Sequence, residues 1–255
     1  MNGLGKLLVF HFLMCLGQTV QGFKIINGET APENSMQYMV SVQTKYGKHI
    51  CGGFLITEDF VITAAHCNDE GPYQILLGSH NLKGMNKKML KIENTCKPST
   101  YQNVGLGDDI MLIKLSEKVP PSNMIQTIPL PTSVINLYQN QICSVAGWGK
   151  TLTNRFGVNE LRVVNVSIIN RELCLEKWNE PFPLNVICAG GYGTTKGFCQ
   201  GDSGGPLVCN SKAVGVVSFN RNANCNYPDV PNVYTDISRF LPWINKILKE
   251  NTCQL

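Results

Sequence analysis

Gly201-Asp202-Ser203-Gly204-Gly205-Pro206 is the stretch on which the reading of this chain turns. A serine between glycines lies on backbone that can approach a substrate carbonyl closely, because glycine has no Cβ to hold the two apart. Two further stretches supply what such a serine needs. Thr63-Ala64-Ala65-His66-Cys67 carries a histidine able to take the hydroxyl proton, and Asp109-Ile110-Met111-Leu112 carries an aspartate at the head of an apolar run. A hydroxyl, a base and a carboxylate that orients the base form the set needed for acyl transfer through a covalent intermediate. Their order along the chain is His66, Asp109, Ser203.

The composition narrows the surroundings of that set. A chain of 255 residues holds one or two compact domains with ample core. The formal charge is +4, and without Lys6 and Lys24, both removed in the reading below, the excess falls to two. Such a mildly basic surface is far from that of a nucleic-acid binder. Residues 1–22 have Lys6 as their only charge, a short apolar run from Leu7 to Leu16, and small residues at Val20 and Gly22, which predicts a secretory signal cleaved after Gly22. No later apolar run approaches the roughly 18 residues that span a bilayer. Of the 11 cysteines, Cys15 falls in that signal, and the even number remaining predicts a disulfide framework in an exported protein. The chain has no C-x-x-C pair, so zinc is not indicated.

Short segments punctuated by Gly, Asn and Pro dominate the rest. Strands are predicted at Tyr38–Gln43, Phe54–Ile56, Phe60–Ile62, Gln74–Leu77, Met111–Leu115, Ile142–Ala146, Leu161–Val166, Pro206–Cys209 and Ala213–Phe219. Many short strands of this kind build barrels or sandwiches. A proline-rich stretch from Val119 to Pro131 is placed to join two halves. Only the tail reads as a helix: Phe240, Trp243, Ile244, Ile247 and Leu248 share one face, with Pro242 tolerable in a first turn.

Taken together, Ile25-Ile26-Asn27-Gly28, Cys51-Gly52-Gly53-Phe54-Leu55-Ile56, the His66 motif, Ala146-Gly147-Trp148-Gly149 and the Ser203 motif resemble, in content and order, the chymotrypsin-like serine proteases. Asp109-Ile110-Met111-Leu112 and Asn165-Val166-Ser167-Ile168-Ile169-Asn170 look most like the granzyme and mast-cell chymase group. The resemblance implies an all-β fold of two packed antiparallel six-stranded β-barrels with a C-terminal helix. The first barrel would cover about 25–130, the second about 131–238 and the helix about 239–250. Four disulfides carry over, Cys51–Cys67, Cys143–Cys209, Cys174–Cys188 and Cys199–Cys225. Cys96 and Cys253 remain. Because the tail helix of this fold packs on the first barrel, they are expected to pair within the chain, a bridge to a second copy through Cys96 being the alternative.

The same resemblance assigns roles. Ser203 is the nucleophile, His66 the general base and Asp109 its orienting acid, in preference to Asp108, which is expected to be a solvated neighbour. The backbone N–H groups of Gly201 and Ser203 form the oxyanion hole. Cleavage after the dipeptide Phe23-Lys24 frees the amine of Ile25 to pair with Asp202, while His49 aligns with a residue that holds this aspartate in some precursors. Ser218, Phe219 and Asn220 pair with substrate backbone, and Gly197, Phe198 and Asn232 shape the pocket for the side chain before the cut. Gly197 puts no acid at the pocket floor, which implies non-tryptic cleavage after small to medium apolar residues. Cleavage after acidic residues is the rival, should Lys196 or Arg221 reach inward.

No cofactor or metal is expected: Ser79 stands where calcium-binding relatives carry a glutamate, and Lys83, Lys87, Lys88 and Lys91 crowd that loop. Asn165-Val166-Ser167 is a glycosylation sequon. The partners implied are protein or peptide substrates, an activating protease or dipeptidase, serpin-type inhibitors and proteoglycan, with no nucleic acid and no membrane span. A secreted or granule-stored monomer is expected, and an inactive, heparin-binding homologue is the alternative.

Overall fold

The computed structural model describes residues 25–154, 156–179 and 181–253. The expected signal and the Phe23-Lys24 dipeptide lie outside these. The opening strand, β1 (Glu29–Thr30), is followed by β2 (Met39–Gln43), β3 (His49–Leu55), β4 (Phe60–Thr63), β5 (Gln74–Leu77), β6 (Lys88–Cys96) and β7 (Met111–Leu115). The last six of these close an antiparallel barrel in the order β2-β3-β4-β7-β6-β5. A second set, β8 (Ile142–Gly147), β9 (Arg162–Ile169), β10 (Val186–Ala189), β11 (Pro206–Cys209), β12 (Lys212–Phe219) and β13 (Asn232–Asp236), runs in the order β9-β10-β13-β12-β11-β8. It closes because β8 pairs back on β9, and β1 lies against the start of β9. The two closed barrels are the ones expected.

The apolar runs explain why the walls are buried. β4 is buried throughout, and β7 at all but Lys114. Phe54, Phe60, Ile62 and Ile75 fill the first barrel, and Val145, Leu207, Val217 and Tyr234 the second. Each such side chain contributes roughly 1.5–3 kcal/mol by leaving water. β6 escaped the sequence reading because Lys-Met-Leu-Lys-Ile-Glu-Asn-Thr-Cys keeps only Leu90 and Cys96 buried.

One helix was missed as well. α1 (Arg171–Trp178) stands between β9 and β10, whereas only the tail was expected to be helical. Its apolar residues make no stripe, but its caps are legible. The Asn170 side chain accepts from the Leu173 N–H, and Asn179 ends the helix in a left-handed conformation. The tail helix α2 (Leu241–Glu250) carries Pro242 in its first turn and buries Leu241, Ile244 and Ile247 in the first barrel's core. No described helix is long and apolar enough to cross a membrane.

Five disulfides staple the fold, the four expected pairs and Cys96–Cys253. The last ties the end of β6 to Cys253, just past the end of α2, and no described cysteine is left to bridge a second copy. The proline-rich linker is held to both halves: the Ile128 N–H donates to Leu55, and the Pro129 carbonyl accepts from Ala213.

Candidate active site

β4 and β7 lie side by side, with Thr63 opposite Met111. The chain leaving β4 turns through a 3-10 segment, Ala65–Glu70, while Asp109 sits two residues before β7, so pairing of the two strands brings His66 and Asp109 together. Asp109 Oδ2 lies 2.8 Å from His66 Nδ1, and Oδ1 accepts from the His66 backbone N–H at 2.9 Å. A carboxylate can only accept, so Nδ1 carries the proton and Nε2 is left with a lone pair. Asp109 is fully buried, while the His66 side chain keeps 23% of its surface open.

The second barrel completes this arrangement. The Ser218 hydroxyl donates to Asp109 Oδ2 at 2.6 Å, and the Thr235 hydroxyl donates to the Asp109 carbonyl at 2.8 Å. Sequence reasoning gave Ser218 only a substrate-pairing part and overlooked Thr235, whose place two residues before the turn into the tail carries no local signal. Asp108 is not simply solvated, because it accepts from Asn185 of the second barrel at 3.1 Å.

Burial of the His66 ring pushes its pKa down. The hydrogen bond and charge of Asp109, with the charges of Asp69 and Glu70 behind it, outweigh this, so the net shift is upward from 6.5. His66 also lies beside Cys51 and Cys67. Those sulfurs are joined in a disulfide and offer no thiolate to a metal.

Ser203 stands in a turn that only glycine permits. A Cβ on Gly204, at φ +81°, would fall 2.5 Å from the Gly52 carbonyl oxygen and against the Thr63 hydroxyl. The Ser203 carbonyl accepts from Gly52 at 2.8 Å. Among the described residues, no acceptor within the chain is found for the Gly201 or the Ser203 N–H.

Asp202 points the other way, into the protein. It is fully buried and accepts from the N–H groups of Gly149 and Cys199 at 2.8 and 2.9 Å. Burial pushes its carboxyl up to about 7, although both N–H bonds pull it down. No described cation reaches it. Ile25 is wholly buried in the second barrel's core, Ile26 pairs with Gly197, and Asn27 donates to the Thr195 carbonyl at 2.8 Å. His49 does not hold Asp202. Its Nε2 lies 2.9 Å from the Gly201 carbonyl and its Nδ1 2.7 Å from the Ser41 hydroxyl, and burial pushes its pKa down to about 4.

The expected pocket residues gather around a side chain that sequence reasoning missed, Tyr227. Its hydroxyl lies 2.8 Å from the Phe198 carbonyl, 2.8 Å from Asn232 Nδ2 and 2.9 Å from Asn220 Nδ2. The Phe198 ring turns into the core, edge-on to Tyr234. Phe219 packs on Trp178 and Phe182. Arg221 does not reach inward: its guanidinium lies over Trp178 and donates to the Lys177 and Trp178 carbonyls, closing the end of α1. Lys196 is exposed.

Two closed barrels, with a buried aspartate held behind a histidine on the first and a glycine-flanked serine turn on the second, have the architecture of a chymotrypsin-like serine endopeptidase. The trypsin family signature matches residues 25–244, and the chain belongs to that family. It is 36% identical to duodenase-1 of Bos taurus, over 95% of this chain and 96% of the relative. It is also 36% identical to mast cell protease 3 of Ovis aries, over 89% of this chain and 90% of the relative. Granzyme-like protein 2 of Rattus norvegicus is 36% identical over 95% of this chain and 97% of the relative.

Proposed function

We propose that the chain is a secreted or granule-stored endopeptidase, made as a precursor, that cleaves peptide bonds through an acyl-Ser203 intermediate and is not tryptic. The observation that carries this reading is the His66–Asp109 pair, clamped by Ser218 and Thr235. Ser203 Oγ attacks the scissile carbonyl while His66 Nε2 takes its proton. The oxyanion accepts from the Gly201 and Ser203 N–H groups. Collapse breaks the C–N bond, and His66 returns the proton to the leaving amine. Water, deprotonated by the same nitrogen, then releases the acyl group. This sequence of steps is the template of the family itself and is carried over to these residues.

Only neutral His66 can accept the proton, and its pKa lies above the ordinary value. The acid limb of kcat/KM on a peptide anilide should therefore have its midpoint above pH 6.5. Neutralising its neighbours, by Asp69→Asn with Glu70→Gln, should move that midpoint down. A midpoint well below 6 in the unaltered protein would contradict the assignment.

Activation is proposed to follow cleavage after Lys24, which turns the Ile25 amide into an ammonium that pairs with Asp202. In the uncut chain the Asp202 carboxyl is raised from 3.8 to about 7, so the folded state favours its protonated form. Stability of the precursor should then be lost as pH rises from about 4 to about 7. The cut protein, with a cation beside the carboxylate, should lack that decline. Thermal melts of both forms across this range test the pair, and parallel curves would count against it. With no acid at Gly197, purified precursor should not activate itself.

Export is supported by the five disulfides, which persist in oxidising compartments. A glycan on Asn165 is supported by that residue's exposure on β9. Serpin-type inhibitors and an activating protease follow from the same reading. Proteoglycan remains a candidate for the exposed Lys83, Lys87, Lys91 and Lys97.

A further inference from the structure

We propose that Tyr227 fills the side-chain pocket of this protease from within, so that the peptides it cleaves carry an alanine-sized residue before the cut. The inference rests on Ser203 being the acylated residue and on Gly197, six positions earlier, marking the pocket floor. A Cβ built on Gly197 would fall against Asn232 Oδ1 and lie 2.6 Å from Tyr227 Cε2 and 3.1 Å from Tyr227 Cδ2. The edge of the phenol ring thus rests on the floor, in the volume that a bulky substrate side chain would need.

The ring is fastened there. The Tyr227 hydroxyl donates to the Phe198 carbonyl and accepts from the amide groups of Asn220 and Asn232, which is its full complement of one donated and two accepted bonds. Asn232 is fully buried, and its Oδ1 accepts in turn from the Phe198 N–H at 3.3 Å. Asn220 also donates to the Asn224 carbonyl at 2.9 Å, which fixes it across the mouth. Displacing the ring would strand a buried amide and a carbonyl, each costly to leave unpaired. Tyr227 is also two residues from Cys225, which the disulfide to Cys199 anchors beside the Ser203 turn. Its hydroxyl, pushed up to about 12 mainly by burial, stays protonated at neutral pH, so the network does not dissolve there. A side chain held by three bonds and a neighbouring disulfide is a fixed filling, and it sets specificity.

The test uses activated protein and three tetrapeptide anilides differing only in Ala, Leu or Phe before the cut. Rates are taken per Ser203 labelled by a fluorophosphonate, which needs no filled side-chain pocket. The unaltered protein should favour Ala over Phe by about a hundredfold. Tyr227→Ala should raise the Phe-to-Ala ratio of kcat/KM by about a hundredfold or more, while Tyr227→Phe, which keeps the ring, should leave the preference for Ala. A ratio within threefold of the unaltered protein's in Tyr227→Ala would overturn the filled pocket while sparing acyl transfer. Should that variant not fold, the unaltered protein still decides, since a preference for Phe over Ala would overturn the proposal. Absence of labelling in the unaltered, cleaved protein would overturn the acyl-Ser203 reading and this inference with it.

Discussion

Ser203→Ala should lower turnover of a peptide anilide by about a millionfold and leave the melting temperature where it was. The substitution removes one oxygen. The turn around it depends instead on backbone, through the bond from Gly52 to the Ser203 carbonyl and the close packing of Gly204. What remains is activity without a covalent step, from the two amides and from substrate positioning. Serine hydrolases stripped of their nucleophile lose about this much. The measurement is kcat per folded molecule, with circular dichroism and a thermal melt on the same sample. A loss of tenfold or less would remove Ser203 from the chemistry.

Asp109→Asn should cost about ten-thousandfold at neutral pH, the figure attached to this family's archetypal triad and carried over from it. The reason lies in the bonds the carboxylate makes. Its two oxygens accept from the His66 backbone N–H, from His66 Nδ1 and from the Ser218 hydroxyl. An asparagine offers one oxygen and one NH2 to those three donors. With the NH2 facing the ring, Nδ1 must become the acceptor, the proton moves to Nε2, and no lone pair is left for the Ser203 proton. Loss of the negative charge also removes the largest of the influences that raise the His66 pKa, so residual activity should show its acid limb at lower pH. Folding should survive, because Asn keeps the side chain's volume in a buried site. An Asp109→Asn protein within tenfold of the unaltered rate would mean that this pair is structural only.

The sequence showed the catalytic set because each member lies in a local motif. The glycines around Ser203, the disulfide cysteine beside His66 and the apolar strand after Asp109 are adjacent in the chain. β4 and β7, buried at all or nearly all positions, were legible as apolar runs, whereas β13, buried throughout, was not, because Asn232, Thr235 and Asp236 break its apolar pattern. β6 was not, since solvent takes most of its side chains, and β1 is too short to carry a period. α1 escaped a search for an apolar stripe, although Asn170 and Asn179 bracket it with cap chemistry that a search for helix ends would find. Tyr227 was invisible for a different reason. Its importance comes from contacts with Phe198, Asn220, Asn232 and Gly197, which converge only once the second barrel closes. Thr235 likewise acts across the barrel junction, at a sequence distance from Asp109 that no local pattern spans.

Whether Ser203 carries the acyl group is read most directly by trapping it. Activated protein is mixed with a slowly deacylating ester, quenched in acid and digested, and the modified peptide is located by mass spectrometry. One acyl group per active molecule is expected on the peptide containing Gly201-Asp202-Ser203-Gly204-Gly205-Pro206, absent from Ser203→Ala and from the uncut precursor. An acyl group on any other residue, or equal labelling of the Ser203→Ala protein, would contradict it.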